Sequence, residues 1–263
     1  MIDFFKYNSA GNDFIIIDNR KKVFPLFSDY IKKLCDRKFG VGADGFISLE
    51  SHATANYFMN YFNSDGVKSS FCGNGNMCCS HLAQHLNILS EENSGFFATR
   101  EGVFKNRVNN HYVSINMPNV LDVQKIDNHS LINTGSPHYI IFTNNLDNID
   151  VFQEGCLIRY SEPFKKEGVN VTFIQVSKKT IYIRTYERGV EAETLSCGTG
   201  VVASAIAYYL KYNIQTDRLC LKVHTRGGIL DVSFNYNHQS GVFSEITLSN
   251  KVSMVFKGEL PSY

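Results

Sequence analysis

The chain has 263 residues, 43% hydrophobic and 19% charged, with 26 Lys and Arg against 25 Asp and Glu and a formal net charge of +1. That composition predicts a globular protein with a substantial core, in one large domain or two of ordinary size. The near-neutral balance, with no basic run of five or more, argues against a nucleic-acid or membrane-surface partner, and no stretch approaches the roughly 20 apolar residues that span a bilayer. The opening residues lack a basic segment followed by a long apolar run, so no signal peptide is expected. Seven cysteines, an odd number in no disulfide or zinc-knuckle spacing, predict free thiols in a reducing cytoplasm.

Residues 1–18 read as β-rich, interrupted by the turn-forming Ser9-Ala10-Gly11-Asn12-Asp13, after which 14–18 is a buried strand. Residues 30–39 read as a helix, 40–45 as a flexible glycine-rich loop, and 46–49 and 56–62 as strands, the second ending in the turn Asn63-Ser64-Asp65-Gly66. Cys72-Gly73-Asn74-Gly75 then runs into an apolar, helix-like segment at 77–89. Residues 95–108 and 111–116 are expected as two strands joined at Asn109-Asn110, and Pro118 with the polar stretch 120–128 marks the best domain boundary.

The second half restarts with similar grammar. A strand at 132–142 is broken by Gly135-Ser136-Pro137-His138, and a weaker helical or loop region follows to Pro163. Strands at 170–176 and 181–186 are rich in Val, Ile, Thr and Tyr. Glu187-Arg188-Gly189 leads through a polar loop to Cys197-Gly198-Thr199-Gly200 and an apolar helix at 201–210. Four strands close the chain, at 219–225, 229–234, 243–248 and 252–257.

These halves carry an internal repeat. Cys72 and Cys197 stand 125 positions apart, as do Tyr57 and Tyr182, and Tyr61 and Tyr186. Thr99-Arg100-Glu101-Gly102-Val103 is echoed by Thr225-Arg226-Gly227-Gly228-Ile229 at an offset of 126. Landmarks in one order at offsets of 125 and 126 predict two copies of a β-rich unit with a helix. Two such domains facing each other would bring both cysteine-bearing helix ends to a shared cleft.

A cysteine before Gly-x-Gly at a helix start sits where unpaired backbone N–H groups and the helix dipole favour an anion, which stabilises thiolate. Three chemistries use such a pair. One thiolate can remove a proton from a carbon beside a carboxylate while the other thiol protonates the opposite face, which is racemisation or epimerisation. The weakly acidic α-hydrogen demands fixed donors for the developing charge, and the two helix ends supply them. The thiols then need environments that separate their pKa values, with His138, Glu187 and Arg188 as candidates for that tuning. The second chemistry is a redox dithiol, though Cys-x-x-Cys is absent. The third is metal binding by Cys72, Cys78, Cys79 and His81, against which Cys78 and Cys79 read as small buried hydrophobes in an apolar helix. No sign of a pyridoxal cofactor is evident.

Taken together, Gly11-Asn12-Asp13-Phe14, Asn63-Ser64-Asp65-Gly66, Cys72-Gly73-Asn74-Gly75, Gly135-Ser136-Pro137-His138, Glu187-Arg188-Gly189 and Glu193-Thr194-Leu195-Ser196-Cys197-Gly198-Thr199-Gly200 resemble, in order and over nearly the whole chain, the motifs of diaminopimelate epimerase. The resemblance implies an isomerase that interconverts L,L- and meso-diaminopimelate without cofactor or metal, in lysine and peptidoglycan precursor biosynthesis. It implies an α+β fold of two similar domains, each a mixed β-sheet curled barrel-like around a central helix. The domains would be 1–118, with 256–263 packing back on it, and 119–255, with the active site in the cleft between them. The assembly implied is a cytoplasmic homodimer with a small-molecule substrate and no nucleic-acid or membrane partner. Cys72 and Cys197 would be the acid/base thiols, with His138 and Glu187 biasing them. Asn12, Asn63, Gly73, Asn74, Asn170, Glu187, Arg188, Gly198 and Thr199 would bind substrate.

The sequence also departs from that family, which usually has Asn at Ser136 and commonly Gln or a similar polar residue at Gly45. One extra residue falls around Val190-Glu191-Ala192. Losing an amide partner costs about 1–3 kcal/mol if a buried group is left unpaired. The departures therefore predict a roomier pocket that also racemises glutamate. A catalytically inactive relative that only binds is the remaining alternative, against which both cysteines and both Gly-x-Gly elements are intact.

Overall fold

In the computed structural model, which describes residues 1–69, 71–90, 92–126 and 128–261, the chain divides into two units. One comprises Met1–Ile115 and the chain from Ser249 onward; the other is Asn116–Leu248. Asp127, within the expected boundary stretch, and Ser262 and Tyr263, within the expected returning segment, lie outside the described residues.

The first unit is built from β1 (Ile2–Ser9), β2 (Asn12–Asp18), α1 (Ser28–Cys35), β3 (Gly45–Glu50), β4 (Tyr57–Asn63), α2 (Gly73–His85), β5 (Ser94–Thr99), β6 (Gly102–Asn109) and β7 (Tyr112–Asn116). It also takes the later residues of the last strand, β16 (Val242–Leu260). The strands follow the order β1 to β7 and then β16, and β16 pairs back on β1 from Ile2↔Leu260 to Ser9↔Val252. An eight-stranded barrel is thereby closed, leaving no free sheet edge. Helix α2 packs against β1, β2, β3, β4 and β6, and its residues from Gly73 to Ser80 are all buried. A helix buried on nearly every side belongs inside its sheet.

The second unit repeats this plan with β8 (Val123–Ile126), β9 (His129–Asn133), β10 (Pro137–Phe142), α3 (Val151–Arg159), β11 (Asn170–Ser177), β12 (Thr180–Glu187), β13 (Ala192–Thr194), α4 (Gly198–Lys211), β14 (Arg218–Thr225) and β15 (Gly228–Asn237). Its order is β16, β15, β14, β12, β11, β10, β9, β8, with β13 on β12. The internal pairings follow the first unit, although among the described residues no strand pairing between β8 and β16 closes the ring and β13 has no counterpart. β2–β3 and β10–β11 are parallel, β3–β4 and β11–β12 antiparallel, and β4–β5 and β12–β14 parallel. Helix α4, buried from Gly198 to Ala207, takes the place of α2. The fold is the pair of similar barrel-like domains, each around a central helix, that the motifs led one to expect.

Helices α1 and α3 cover the outer faces. Ile31 and Leu34 of α1 join Ile15, Ile17, Phe24, Phe46 and Phe62 in one apolar cluster, and α3 packs beside Tyr139, Val171, Phe173 and Tyr186 in another. Each such side chain contributes about 1.5–3 kcal/mol on burial. Among the described residues no helix is long and apolar enough to cross a membrane.

Four elements differ from expectation. Helix α1 stops at Cys35, because the Asp36 carboxylate accepts the Lys38 and Phe39 N–H groups, each at 2.7 Å, and turns the chain away. Residues 95–108 are a hairpin, not one strand, since Arg100 and Glu101 form a two-residue connection with Thr99 opposite Gly102 at φ +139°. β8 forms inside the polar stretch by pairing Val123 with Ile132 and Ile126 with His129. The two last strands are one. Ser249 and Asn250, polar enough to read as a turn, are buried in β16 with partners in Ser114 Oγ at 2.8 Å and Ser9 Oγ at 3.3 Å.

Helix α3 approaches β12 so closely that a Cβ on Gly155 would lie 2.4 Å from Tyr186 Cβ. Helix propensity alone makes Gly155→Ala stabilising by about 1 kcal/mol. The contact predicts the opposite sign, a loss of about 1–3 kcal/mol from overpacking. Thermal melting decides between them, and a raised Tm would contradict the packing described here.

Candidate active site at two helix mouths

In the first unit Cys72 is the N-cap of α2, with extended backbone (φ −115°, ψ 106°) and Sγ accepting the Gly75 N–H at 3.4 Å. The helix start sinks onto the sheet because Gly75 has no side chain; a Cβ there would meet Met59 Cε at 3.0 Å and Ile47 Cδ1 at 3.1 Å. Asn76 Nδ2 donates to Cys72 O at 3.0 Å. Cys72 opens on a small pocket lined also by Met59, Tyr61, Ser69, Thr99 and Glu101. Asn74 Nδ2 lies 3.5 Å from Asn12 Oδ1, so Asn12, Gly73 and Asn74 gather at this mouth. Asn63 ends β4 in register with Gly45, and its backbone bonds are those of its own turn, to Val67 and Gly66.

In the second unit Cys197, buried with 6% exposure, is the N-cap of α4 (φ −120°, ψ 110°). Its Sγ lies 3.4 Å from Thr199 Oγ1 and 4.0 Å from His138 Nε2. His138 is wholly buried, its Nε2 2.8 Å from Thr199 Oγ1 and its Nδ1 3.0 Å from Thr172 Oγ1. It sits over Gly200, where a Cβ would lie 3.1 Å from its Cε1. Asn170, one turn of strand from Thr172 on the same face of β11, spends its amide on the scaffold. Its Nδ2 donates to Ser136 Oγ at 2.8 Å and Pro137 O at 2.9 Å, and its Oδ1 accepts the Arg188 N–H at 2.9 Å. The Arg188 guanidinium donates to Glu167 O at 2.8 Å. Glu187, at the end of β12, accepts from Thr194 Oγ1.

Electrostatics set the two groups around Cys197 apart. Burial, with Arg188 adding to it, pushes His138 down to about 3, so the ring is neutral at physiological pH. A neutral ring brings no positive charge to the thiol, and it reaches the sulfur's neighbour Thr199 by a hydrogen bond. Burial also pushes the Cys197 thiol well up, and the Glu187 carboxylate adds to this; the Thr199 hydroxyl and Gly200 amide only partly offset them. Cys197 is thus held as thiol.

The expected roominess at Gly45 is not met. A Cβ there would lie 2.5 Å from Tyr61 Cε2 and 2.9 Å from Phe62 O, so the Tyr61 ring and the β4 backbone fill that space. Ser136 likewise already holds the Asn170 amide. The extra residue near Val190 is absorbed by a turn in which Glu191, at φ +56°, donates its N–H to Glu187 O and accepts from Gly189 N and Tyr186 OH. Among the described residues no three His, Cys, Asp or Glu side chains are grouped so as to hold a metal ion. Cys78 and Cys79 are buried inside α2, while His81 bonds Tyr7 OH at 3.1 Å.

Thr134 and Asp44 support the site from outside the motifs, and Glu193 does so from within one. Thr134 Oγ1 donates to Thr199 O at 2.8 Å, and Glu193 holds Arg184 through two 2.7 Å bonds beside Thr194. Asp44 receives Asn12 Nδ2 at 2.8 Å. Lys6, a lone cation in the apolar strand β1, signals such a network; the buried threonines give no comparable sign.

The fold is shared with solved structures of low sequence identity. A phenazine biosynthesis protein of the PhzF family from Bacillus anthracis superposes with a TM-score of 0.78 at 15% identity, covering 99% of both chains. A hydroxyproline epimerase from Agrobacterium vitis gives 0.74 at 11% identity, covering 98% of this chain and 90% of its own. At the level of sequence, the profile described as Diaminopimelate epimerase matches residues 4–120 and 130–251. With two domains of this kind and that match, the protein is an isomerase of the racemase and epimerase class. The chain belongs to the diaminopimelate epimerase family. The relative of that name from Flavobacterium psychrophilum is 44% identical over 256 residues, covering 96% of this chain and 98% of the relative. The one from Chlorobaculum tepidum is 36% identical over 260 residues, covering 96% and 99%.

The position of Glu187 makes a signed prediction. Removing its charge in Glu187→Gln lowers the Cys197 pKa, so more thiolate is present at a given pH. Peptide-resolved alkylation at pH 7–8 should then label Cys197 faster than in the unaltered protein. A slower or unchanged rate would contradict a carboxylate that holds the thiol protonated.

Proposed function

We propose that this isomerase interconverts L,L- and meso-diaminopimelate, with Cys72 and Cys197 as its two acid/base groups. One takes the α-proton as thiolate and the other returns a proton to the opposite face. The observation that carries this reading is the pair of cysteines, each capping a helix that opens Gly-x-Gly, in a chain 44% identical to a relative named for that reaction. The first N–H groups of a helix lie outside its own hydrogen-bond ladder, and the backbones of Gly73, Asn74, Gly198 and Thr199 at the two helix starts receive the reacting carboxylate and its developing charge. Asn12, Asn63, Glu187 and Arg188 hold the rest of the substrate. Asn170 acts through Arg188, whose N–H it accepts.

The roles are unequal. Cys197, held up by burial and by Glu187, starts as the proton donor. Cys72 starts as the base. Glu187 stands ready to take the Cys197 proton when the direction reverses. Thiols and fixed donors suffice for this chemistry, so the reading calls on no cofactor or metal. We place the reaction in lysine and peptidoglycan precursor supply, carried out by a cytoplasmic homodimer with no nucleic-acid or membrane partner; seven free thiols suit a reducing compartment. Residues 1–118 with 256–263, and 119–255, are taken as its two domains.

The test is α-proton exchange followed by NMR in heavy water with reductant present, on L,L-diaminopimelate and on L-glutamate. Exchange with diaminopimelate alone is expected. Cys72→Ser and Cys197→Ser should each lower turnover by about 10²–10⁴-fold, the usual reach of one acid or base. Exchange with glutamate at a comparable rate would show a broader enzyme. No exchange with either substrate, both thiols being reduced, would reduce the chain to a binding relative.

A further inference from the structure

Asn12 opens β2, and its amide is not free to turn over. Its Nδ2 donates to Asp44 Oδ2 at 2.8 Å, and a carboxylate only accepts. Its oxygen must therefore face the other way, toward Asn74 Nδ2 at 3.5 Å, two residues beyond Cys72. Turning the amide over would set a carbonyl oxygen against a carboxylate, two acceptors with no proton between them.

Asp44 is fixed from several sides. Arg37 Nη2 lies 2.6 Å from its Oδ1, and its own N–H donates to Asp13 O and Oδ1 at 3.0 and 3.1 Å. The Asp13 N–H donates back to Asp44 Oδ2 at 3.2 Å. Asp13 is gripped in turn by Arg37 at 2.7 Å and by buried Lys6 at 2.5 Å, and Lys6 also donates to Gly42 O. Although burial alone would raise it, these two cations hold the Asp13 carboxyl well below the usual range. Two carboxylates and two cations thus form a rigid charged frame behind one neutral amide.

We propose that Asp44 is a positioning residue: it locks the Asn12 amide so that oxygen, not nitrogen, is presented beside the Cys72 helix mouth. That position thereby becomes a receptor for the ammonium group of an amino-acid substrate. The proposal rests on the reading of Asn12 as a substrate-binding residue. A freely turning amide accepts from an ammonium or donates to a carboxylate with similar ease, whereas a locked one discriminates between them.

Steady-state kinetics with L,L-diaminopimelate on the full chain test this. Asp44→Asn sets two amides face to face, releases Asn12, and should raise KM about tenfold while kcat stays within about twofold. The double variant Asn12→Asp with Asp44→Asn exchanges the partners. The new amide then donates to the new carboxylate, which still shows an oxygen to the substrate, and KM should fall back toward that of the unaltered protein. Asp18→Asn, which breaks the exposed pair with Arg20 at the other end of β2, is the control and should leave both constants unchanged. A double variant no better than Asp44→Asn overturns the proposal. So does an Asn12→Ala variant with unaltered KM, which removes the substrate role of Asn12 itself and is recognised because Asp44→Asn is then silent too. If Asp44→Asn does not fold, the Asn12 side-chain amide resonances of the unaltered protein decide. Slow exchange in one orientation supports the lock, and rapid averaging overturns it.

Discussion

A helix that starts inside a barrel leaves its first N–H groups without partners in a place water reaches poorly. Both units impose this constraint on themselves, and most of the local structure answers to it. Cysteine is not among the residues that cap helices well. At Cys72 the answer is a long 3.4 Å bond from Gly75, and at Cys197 the sulfur is met by the Gly200 amide and by the Thr199 hydroxyl at 3.4 Å. Stability is forgone at two helix ends that are capped by sulfur rather than oxygen. Gly75 and Gly200 belong to the same economy, since only a residue without a side chain lets the first turn settle against Met59 in one unit and His138 in the other.

Around this shared plan the two mouths differ in kind. The second is lined by a neutral imidazole, threonine hydroxyls and a carboxylate that disfavours thiolate. At the first, the amides of Asn12 and Asn74 are backed by a charged frame of Lys6, Asp13, Arg37 and Asp44, and Arg100 and Glu101 line the pocket at Cys72. Duplicated backbones have thus been given unlike side chains at equivalent points. The acid and the base proposed for the two sulfurs would require that difference, because identical surroundings would hold both in one protonation state.

Much of this was legible in the sequence because it is local. The two Cys-Gly-x-Gly stretches, the turn at Asn63 and the apolar strands follow from residue chemistry a few positions wide. The repeat offset disclosed the duplication, and the succession of parallel and antiparallel pairings from β2 to β5 recurs from β10 to β14. What escaped depends on distant partners. Ser249 and Asn250 look like a turn until Ser114 and Ser9 meet them, and Val123 to Ile126 looks like a linker until β9 lies alongside. Gly45 read as a missing amide, whereas the Tyr61 ring occupies the space an added side chain would need. His138 read as a residue that tunes the thiols, and its complete burial, which leaves the ring neutral, shows only in the fold.

The last strand has a bearing on how the protein is made. Asn116–Leu248 is continuous in the chain, so everything the second unit needs has been synthesised by Leu248. The first unit begins earlier and is finished later, since β1 at Ile2 waits for a neighbour that ends at Leu260. During synthesis on the ribosome the N-terminal strands emerge with an open seam that no local contact can seal, and long-range pairings of this type close slowly. The second unit is therefore free to fold first, and the N-terminal strands must stay unaggregated until the residues up to Leu260 have left the exit tunnel.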